Sequence, residues 1–256
     1  MGEIKRKAAL VTGAGKRIGR AIALDLAAQG WAVGVHYHRS RGEAEAVVAE
    51  IERAGGRAAA VPADLGAEAE VKRLVPRTVE ALGTLTVLVN NAAPFVRDEA
   101  DSVTRESWDL HMEAGLRAPF VLMQAFARQL PEDDHGVIVN LLDQRVWNLT
   151  PHFVSYTVAK TGLLTLTQTM ALALAPRIRV NGIGPGPTLR NERQSEAQFA
   201  AQCNATPLKR GATPEEIAAA VRFLIAAPAV TGQMIALDGG EHLGWAQASR
   251  GFVPTE

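Results

Sequence analysis

The sequence predicts an α/β domain in which helices flank a doubly wound, parallel sheet of seven strands. Short apolar runs rich in Val, Ile and Ala alternate with longer amphipathic stretches along the 256 residues, the pattern of strand–helix–strand units. A glycine-rich turn follows the first apolar run directly and opens an amphipathic stretch. No linker of Pro, Gly and Ser and no repeat divides the chain, so we expect a single domain over residues 1–256.

Each apolar run predicts a strand, and each amphipathic stretch between two runs predicts a helix. The predicted strands are Ala8–Thr12, Ala32–His36, Ala58–Pro62, Val87–Asn90, Val137–Leu141, Arg179–Ile183 and Gln233–Leu237, and the helices are 17–29, 41–54, 67–81, 104–130, 153–175 and 214–226. Thr213, Pro214 and Glu216 mark the start of the last helix as N-cap, first-turn proline and capping-box acid.

Two segments fall outside this alternation. The stretch 186–212 has mixed polarity and follows the sixth strand. Ligands bind beyond the carboxyl ends of the strands in open α/β sheets, so we expect this stretch to form a substrate lid. The tail Trp245–Glu256 extends past the last predicted strand and either covers a neighbouring subunit's pocket or is mobile.

The composition of the chain argues against several classes of function. The 27 basic residues balance 27 acidic ones, which argues against a general nucleic-acid or anionic-membrane surface. The single cysteine, Cys203, permits no intrachain disulfide. The amino terminus enters the first strand without a signal-peptide core, and the apolar runs are too short to cross a bilayer. The histidines are scattered without metal-ligand spacing. We therefore expect a cytoplasmic protein without a metal site.

The turn after the first strand has the features of a pyrophosphate-binding loop. Glycines let the backbone approach a phosphate, and the free N–H groups and dipole of the following helix favour its charge. A tight turn without a ligand is the alternative. The candidate cofactor contacts in this turn are Gly13, Lys16, Arg17, Ile18 and Gly19.

The end of the second strand favours NADPH over NADH. A free ribose 2′-hydroxyl usually meets an acid at this point, whereas a 2′-phosphate needs cations and donors. Here the strand runs into His38, Arg39 and Ser40, and no acid occurs before Glu43. Arg39 can hold a phosphate with two hydrogen bonds. A solvated basic turn is the alternative.

Further cofactor contacts are predicted after the third and fourth strands. Asp64 and Leu65 are placed to meet the adenine, although Asp64 can equally cap the next helix. Asn91 and Ala92 follow the fourth strand, where they can border the ribose and nicotinamide. The pair Asn90-Asn91 can instead tie neighbouring loops together.

A tyrosine and a lysine four residues apart, Tyr156 and Lys160, suggest a proton donor. On one helix, the lysine charge favours the phenolate and lowers the tyrosine pKa from its ordinary value of about 10. Asp143 lies thirteen residues before Tyr156. A carboxyl group at this place limits the range of possible substrates, because it favours those with N–H groups that donate hydrogen bonds to it.

Together these motifs resemble the classical short-chain dehydrogenase/reductase family across nearly the whole chain. The matching elements are the glycine-rich turn, Asp64-Leu65, Asn90-Asn91-Ala92, Tyr156 with Lys160, and Pro185-Gly186. The resemblance implies a Rossmann fold, a nicotinamide cofactor contacted also by Tyr156, Lys160, Pro185 and Gly186, and a homotetramer that uses the helices at 104–130 and 153–175.

Within that family the chain is similar to pteridine reductases and bacterial dihydromonapterin reductases. Arg17 replaces the middle glycine of the turn, Asp143 stands where that branch has a catalytic aspartate, and Phe95 stands where it stacks the pterin ring. The likeness implies catalysis by Asp143, Tyr156 and Lys160, and substrate binding by Arg17, Phe95, Asp143 and Tyr156. Gly115 replaces the asparagine with which many relatives complete a proton path. Apolar Ala93-Pro94 is a second departure from the eukaryotic pteridine reductases.

Three functions are compatible with these residues. The first is an NADPH-dependent reductase that transfers hydride to a C=N bond of a pterin or dihydropterin. The second is a carbonyl reductase acting on a 3-oxoacyl thioester, a sugar or another ketone; Asp143 fits this less well, since a carboxylate destabilises a developing alkoxide. The third is a non-catalytic dinucleotide-binding regulator, which only Gly115 favours.

Overall fold

The computed structural model describes residues 6–191 and 193–244, and the tail Trp245–Glu256 lies outside the described residues. Seven parallel strands form one sheet in the order β3-β2-β1-β4-β5-β6-β7. The strands are β1 Ala8–Val11, β2 Ala32–Tyr37, β3 Ala58–Pro62, β4 Val87–Asn90, β5 Gly136–Leu141, β6 Ile178–Pro185 and β7 Met234–Leu237. The doubly wound α/β fold is thereby confirmed, with every predicted strand shifted by no more than two residues at either end.

Among the described residues, eight α-helices flank the sheet. They are α1 Arg17–Ala28, α2 Arg41–Arg53, α3 Glu68–Leu82, α4 Arg105–Met112, α5 Ala118–Gln129, α6 Val154–Leu174, α7 Glu196–Ala205 and α8 Pro214–Ala226. The predicted helix 104–130 is divided by a π-helical turn at Glu113–Arg117. Thr213 caps α8 as expected, since its side chain accepts a hydrogen bond from the Glu216 N–H. Helix α7 was not predicted.

Alternation along the strands divides the core between the two faces of the sheet. In β1, Leu10 packs into one apolar cluster with Leu122 and Phe126 of α5. The next residue, Val11, packs into the other with Leu26 of α1. Successive side chains of a strand point to opposite faces, so a parallel sheet covered on both sides needs apolar residues throughout.

The strand order reverses between β1 and β4, which leave the sheet toward different helix layers. A crevice therefore opens beyond the carboxyl ends of these two strands, where ligands bind in open α/β sheets. The glycine-rich turn, Asn91 and the residues that follow β5 all border this crevice.

Candidate active site

One cavity of about 1390 Å³ runs along the carboxyl ends of the strands. Every residue that the sequence predicts for the site lines it, and their individual roles stay predictions. They are Gly13, Lys16, Arg17, Ile18, Gly19, His38, Arg39, Ser40, Asp64, Leu65, Asn91, Ala92, Phe95, Asp143, Tyr156, Lys160, Pro185 and Gly186.

The backbone of the glycine-rich turn is shaped so that an anion can approach it closely. Gly13 has a φ of +63°, a conformation that costs a glycine little. A Cβ atom at Gly19 would lie 2.5 Å from the side-chain nitrogen of Asn91, so a larger residue does not fit. Helix α1 begins after Lys16, whose side chain does not cap it. Its first N–H groups are therefore available to an anion.

Arg17 adopts a left-handed conformation with a φ of +52°, which costs a non-glycine residue about 1–2 kcal/mol. Its guanidinium donates hydrogen bonds to the carbonyl oxygens of Leu189 and Arg190, at 2.9 and 2.8 Å. Both acceptors belong to the 186–212 segment. The predicted phosphate and substrate contacts of Arg17 would therefore compete with these bonds.

The residues predicted to select NADPH lie at one end of the cavity. Arg39 and His38 are exposed, whereas the Lys16 ammonium is 2.6 Å from a Glu43 carboxylate oxygen. Asp64 does not cap the next helix, because α3 begins at Glu68 with Ala67 as N-cap. The Asp64 carboxylate instead accepts a hydrogen bond from the Gly66 N–H and lies 3.6 Å from His38.

The buried side chain of His36 connects the segments at this end of the site by hydrogen bonds. It is 2% exposed. Its Nδ1 accepts a hydrogen bond from the Gly13 N–H at 3.0 Å, so its Nε2 carries the proton and donates to the Ala63 carbonyl, also at 3.0 Å. Burial lowers the His36 pKa to about 4. The neutral ring thus links the glycine-rich turn to β2 and to the residue after β3.

The two asparagines tie neighbouring segments together. The side chain of Asn90 donates to Asn140 of β5 at 2.8 Å, and that of Asn91 donates to the Thr12 carbonyl, also at 2.8 Å. Asn91 and Ala92 still border the cavity. The tying role is therefore observed, and the predicted cofactor contacts remain compatible with it.

Asp143, Tyr156 and Lys160 converge although they come from different elements. Asp143 lies two residues after the end of β5, whereas Tyr156 and Lys160 lie one turn apart on α6. The Tyr156 hydroxyl donates to Asp143 Oδ2 at 2.9 Å, and the Lys160 ammonium donates to the Leu141 carbonyl at 2.5 Å. Tyr156 is 7% exposed and Lys160 is 4% exposed. Two buried groups, Tyr156 and Lys160, and the half-buried carboxylate of Asp143 thus lie together at the centre of the crevice.

The electrostatics of this trio differ from the sequence expectation. Burial raises the pKa of Tyr156 well above its ordinary value, and the charge of Asp143 and the hydrogen bond to it raise it further. Burial also lowers the pKa of Lys160 to about 8. Spacing alone predicts a lowered tyrosine pKa, but desolvation and the neighbouring carboxylate dominate here. In the protein by itself, Tyr156 is therefore a protonated donor.

Phe95 stands beside Tyr156 in an aromatic column. Its ring stacks on Phe153 with centroids 4.4 Å apart and planes inclined by 3°, and it meets the Tyr156 ring edge-on at 4.8 Å. Phe153 has a left-handed φ of +58° at the start of α6. Phe153 covers one face of Phe95, and the Arg193 guanidinium lies over the same ring, so a flat substrate that stacks on the remaining face would meet Arg193. The family resemblance predicted Phe95, but nothing in the sequence identified Phe153.

The predicted lid segment borders the cavity and contains α7. Arg193 donates to the Phe95 carbonyl oxygen at 2.6 Å and lies 5.6 Å from the centre of that ring. On the other side, Glu241 borders the cavity, and burial together with the charges of Asp143 and Asp238 raises its pKa to about 7. Neither contact was predicted.

Gly115 lies in the π-helical turn and is buried. A Cβ atom there would meet only the Ala159 Cβ, at 3.6 Å, which is an ordinary contact. A Cβ atom at this position is therefore not excluded by its neighbours. Single π-helical turns inside α-helices often occur at functional sites.

Two further features concern the described residues as a set. No group of three or more His, Cys, Asp or Glu side chains among residues 6–191 and 193–244 is arranged to hold a metal ion. None of the helices in this part of the chain is both long and apolar enough to cross a membrane.

Comparisons with known proteins agree with this geometry. A family model described as Enoyl-(Acyl carrier protein) reductase matches residues 13–242. The structure of FolM alternative dihydrofolate reductase 1 from Brucella suis in complex with NADP is 44% identical, with a TM-score of 0.92 over 96% of this chain and 99% of that one. A 3-oxoacyl-[acyl-carrier-protein] reductase of Synechocystis is 35% identical over 94% of this chain and 98% of its own. A probable 2,4-dienoyl-CoA reductase of Bacillus subtilis is 34% identical over 94% and 98%.

Proposed function

The chain belongs to the short-chain dehydrogenase/reductase family, and we propose that it is an NADPH-dependent reductase that transfers hydride to a C=N bond of a pterin or dihydropterin. The observation that carries the proposal is the 2.9 Å hydrogen bond from Tyr156 to Asp143, next to the ring of Phe95. A carboxylate coupled to the proton donor suits a substrate rich in ring nitrogens and N–H groups. The Brucella suis structure, named as a dihydrofolate reductase, supports the same substrate class.

The residues at the nucleotide end fit NADPH. A pyrophosphate can approach the backbone closely at Gly13 and Gly19, which have no side chain. The uncapped start of α1 leaves N–H groups for its charge. Exposed Arg39, with Ser40 beside it, suits a 2′-phosphate. The NADP bound in the Brucella suis structure supports this assignment. When bound, NADPH supplies the hydride for the ring carbon of the C=N bond.

The protein residues would supply the proton and hold the substrate. Tyr156 gives its phenolic proton to the ring nitrogen next to the reduced carbon, and solvent later restores it. Asp143 orients the Tyr156 hydroxyl through its Oδ2. Lys160, whose ammonium lies 5.7 Å from the centre of the tyrosine ring, would hold the nicotinamide ribose. Phe95 offers one face to the flat substrate, a stacking contact worth about 1 kcal/mol.

A ketone is the alternative substrate. The Tyr156–Lys160 pair suits carbonyl reduction equally well, and the Synechocystis relative is named as a 3-oxoacyl reductase. A single substitution distinguishes a pterin substrate from a ketone substrate. In Asp143→Ser, the carboxylate next to the donor is replaced by a neutral hydroxyl. We expect this variant to lose pterin reduction and to gain ketone reduction.

The experiment is NADPH oxidation by the purified full chain with a substrate panel. The panel contains dihydrobiopterin, dihydromonapterin, dihydrofolate and acetoacetyl-CoA, each tested on the wild type, Asp143→Ser and Tyr156→Phe. We expect turnover of at least one pterin compound, and a loss of about 100-fold or more in Tyr156→Phe because the proton donor is gone. Turnover of acetoacetyl-CoA alone would refute the pterin assignment.

We also propose a homotetramer and a cytoplasmic location, as in the sequence expectation. An apolar groove between α4–α5 and α6, lined by Met112, Leu116, Phe120 and Leu166, supports assembly through these helices. Light scattering on the purified chain tests the assembly, and a monomer at micromolar concentration would contradict it. Fractionation of the source cells tests the location.

A further inference from the structure

Arg145 is a cavity-lining cation for which the proposed mechanism has no role. It lies two residues after Asp143, in the 3-10 turn Gln144–Val146. Its main-chain N–H donates to Asp143 Oδ1 at 2.8 Å, while Asp143 Oδ2 accepts from Tyr156. One carboxylate therefore joins the backbone of Arg145 to the hydroxyl of the proton donor.

The side chain of Arg145 is held in place by neutral groups. Its Nη1 donates to the Thr150 hydroxyl at 2.9 Å, and its guanidinium lies over the Phe153 ring, 4.9 Å from the centre. Its Nε is buried and has no hydrogen-bond partner among the described residues. Stacking on an aromatic face stabilises the half-buried cation only in part, and a buried Nε without a partner calls for an explanation.

The aromatic column connects this cation to the reacting group by a second route. Phe153, under the guanidinium, stacks on Phe95, and Phe95 packs edge-on against Tyr156. Arg145 therefore lies at one end of a packed column that has the proton donor at its other end. Its position relative to Tyr156 is fixed both through Asp143 and through these rings.

We propose that Arg145 is a positioning residue for proton donation, whose fixed charge favours the phenolate that Tyr156 becomes and whose backbone N–H orients Asp143. In that step the Tyr156 O–H bond breaks, its electron pair stays on the oxygen, and the proton forms the N–H bond of the reduced substrate. This inference rests on the proposed reductase function.

The charges around Tyr156 explain why a second cation is needed. Asp143 opposes formation of the phenolate, and the Lys160 ammonium is turned to the Leu141 carbonyl, with its own pKa lowered to about 8 by burial. The His111 ring lies 5.8 Å from the tyrosine ring, and burial lowers the pKa of His111, which disfavours its charged form. The guanidinium of Arg145 is a cation, and its charge lowers the pKa of Tyr156.

The test compares Arg145→Met and Arg145→Lys with the matched control Arg97→Met. Arg97 lies over the same Phe153 ring at 6.0 Å, but it is exposed and paired with Glu99. For each variant we would measure kcat and KM with dihydrobiopterin, the NADPH dissociation constant, and the solvent deuterium isotope effect on kcat.

In Arg145→Met we expect kcat to fall by about 10- to 100-fold, within the range of a general-acid contribution, with NADPH affinity within about twofold of the wild type. The solvent isotope effect should rise because proton transfer becomes slower than the other steps. Arg145→Lys should recover most of kcat, since it keeps the charge. Arg97→Met should resemble the wild type. Unchanged NADPH affinity shows that the variants are folded.

Two results would overturn the inference. One is equal loss in Arg145→Met and Arg97→Met, which indicates only a packing role on Phe153. The other is a loss in Arg145→Met without any rise in the isotope effect. If the wild type reduces acetoacetyl-CoA and no pterin, the substrate proposal fails, and the same variants measured on that ketone still decide the role of Arg145. A wild type that reduces neither substrate refutes both.

Discussion

The buried imidazole of His36 should make the nucleotide end of this protein sensitive to acid. Its pKa falls from 6.5 to about 4 on folding, chiefly by burial. The unfolded chain therefore binds a proton as the pH falls below about 6.5, whereas the folded protein does not until about pH 4. The stability contributed by the neutral ring is complete above pH 6.5 and is lost between pH 6.5 and 4.

The size of this loss follows from the shift. With pKa values of 6.5 in the unfolded chain and about 4 in the folded protein, the loss amounts to about 3 kcal/mol when the pH has fallen to 4. At pH 5 the loss is already about 2 kcal/mol. Protonation of Nδ1 would also remove the acceptor of the Gly13 N–H, so the glycine-rich turn should loosen in the same pH range.

The assay is urea unfolding at pH 8, 7, 6 and 5, followed by tryptophan fluorescence at one protein concentration. The variant His36→Asn keeps an acceptor near the Gly13 N–H and cannot be protonated. It should be less stable than the wild type at pH 8, and the difference should shrink by about 2 kcal/mol at pH 5. His135→Asn, directly before the amino end of β5, is the control and should follow the wild type. Parallel curves for the wild type and His36→Asn would refute the reasoning.

Three other predictions concern single side chains. Gly115→Ala should raise the free energy of unfolding by about 0.5–1 kcal/mol, because the added Cβ meets only Ala159; a lower melting temperature would contradict this. Glu241→Gln should stabilise the protein at pH 8 and change little at pH 4, since a carboxyl whose folded pKa is raised to about 7 loses stability as the pH rises from 4.5 through 7; equal effects at both pH values in urea unfolding would contradict it. Arg39→Ala should reduce the preference for NADPH over NADH, measured as a ratio of kcat/KM, by about 10- to 100-fold, as expected when a charged hydrogen bond is removed; an unchanged ratio would place the 2′-phosphate elsewhere.

The strands of this fold could be predicted because burial on both faces requires continuous apolar runs, as in β5. Helix α7 was missed because none of its residues is buried, so the sequence carries no helical apolar period. A signal was nevertheless present. Ser195 and Gln198 form a capping box at its start, the same pattern that correctly marked α8.

The positions of the site residues were easier to predict than their electrostatics. The order of the motifs brings Tyr156 and Asp143 to one crevice in any doubly wound sheet. The sign of the Tyr156 pKa shift depends on burial and on a 2.9 Å contact, both of which are tertiary. Phe153 could not be predicted as the partner of Phe95, because that contact joins the loop after β4 to the start of α6.

The left-handed backbone at Arg17 limits the evolutionary drift of this position. Glycine is the substitution that relieves the strain most easily, by about 1 kcal/mol, and a β-branched residue would add to it. A change to glycine would therefore stabilise the turn and at the same time remove both hydrogen bonds to the 189–190 carbonyls. The arginine persists only where selection for its side chain outweighs that gain in stability.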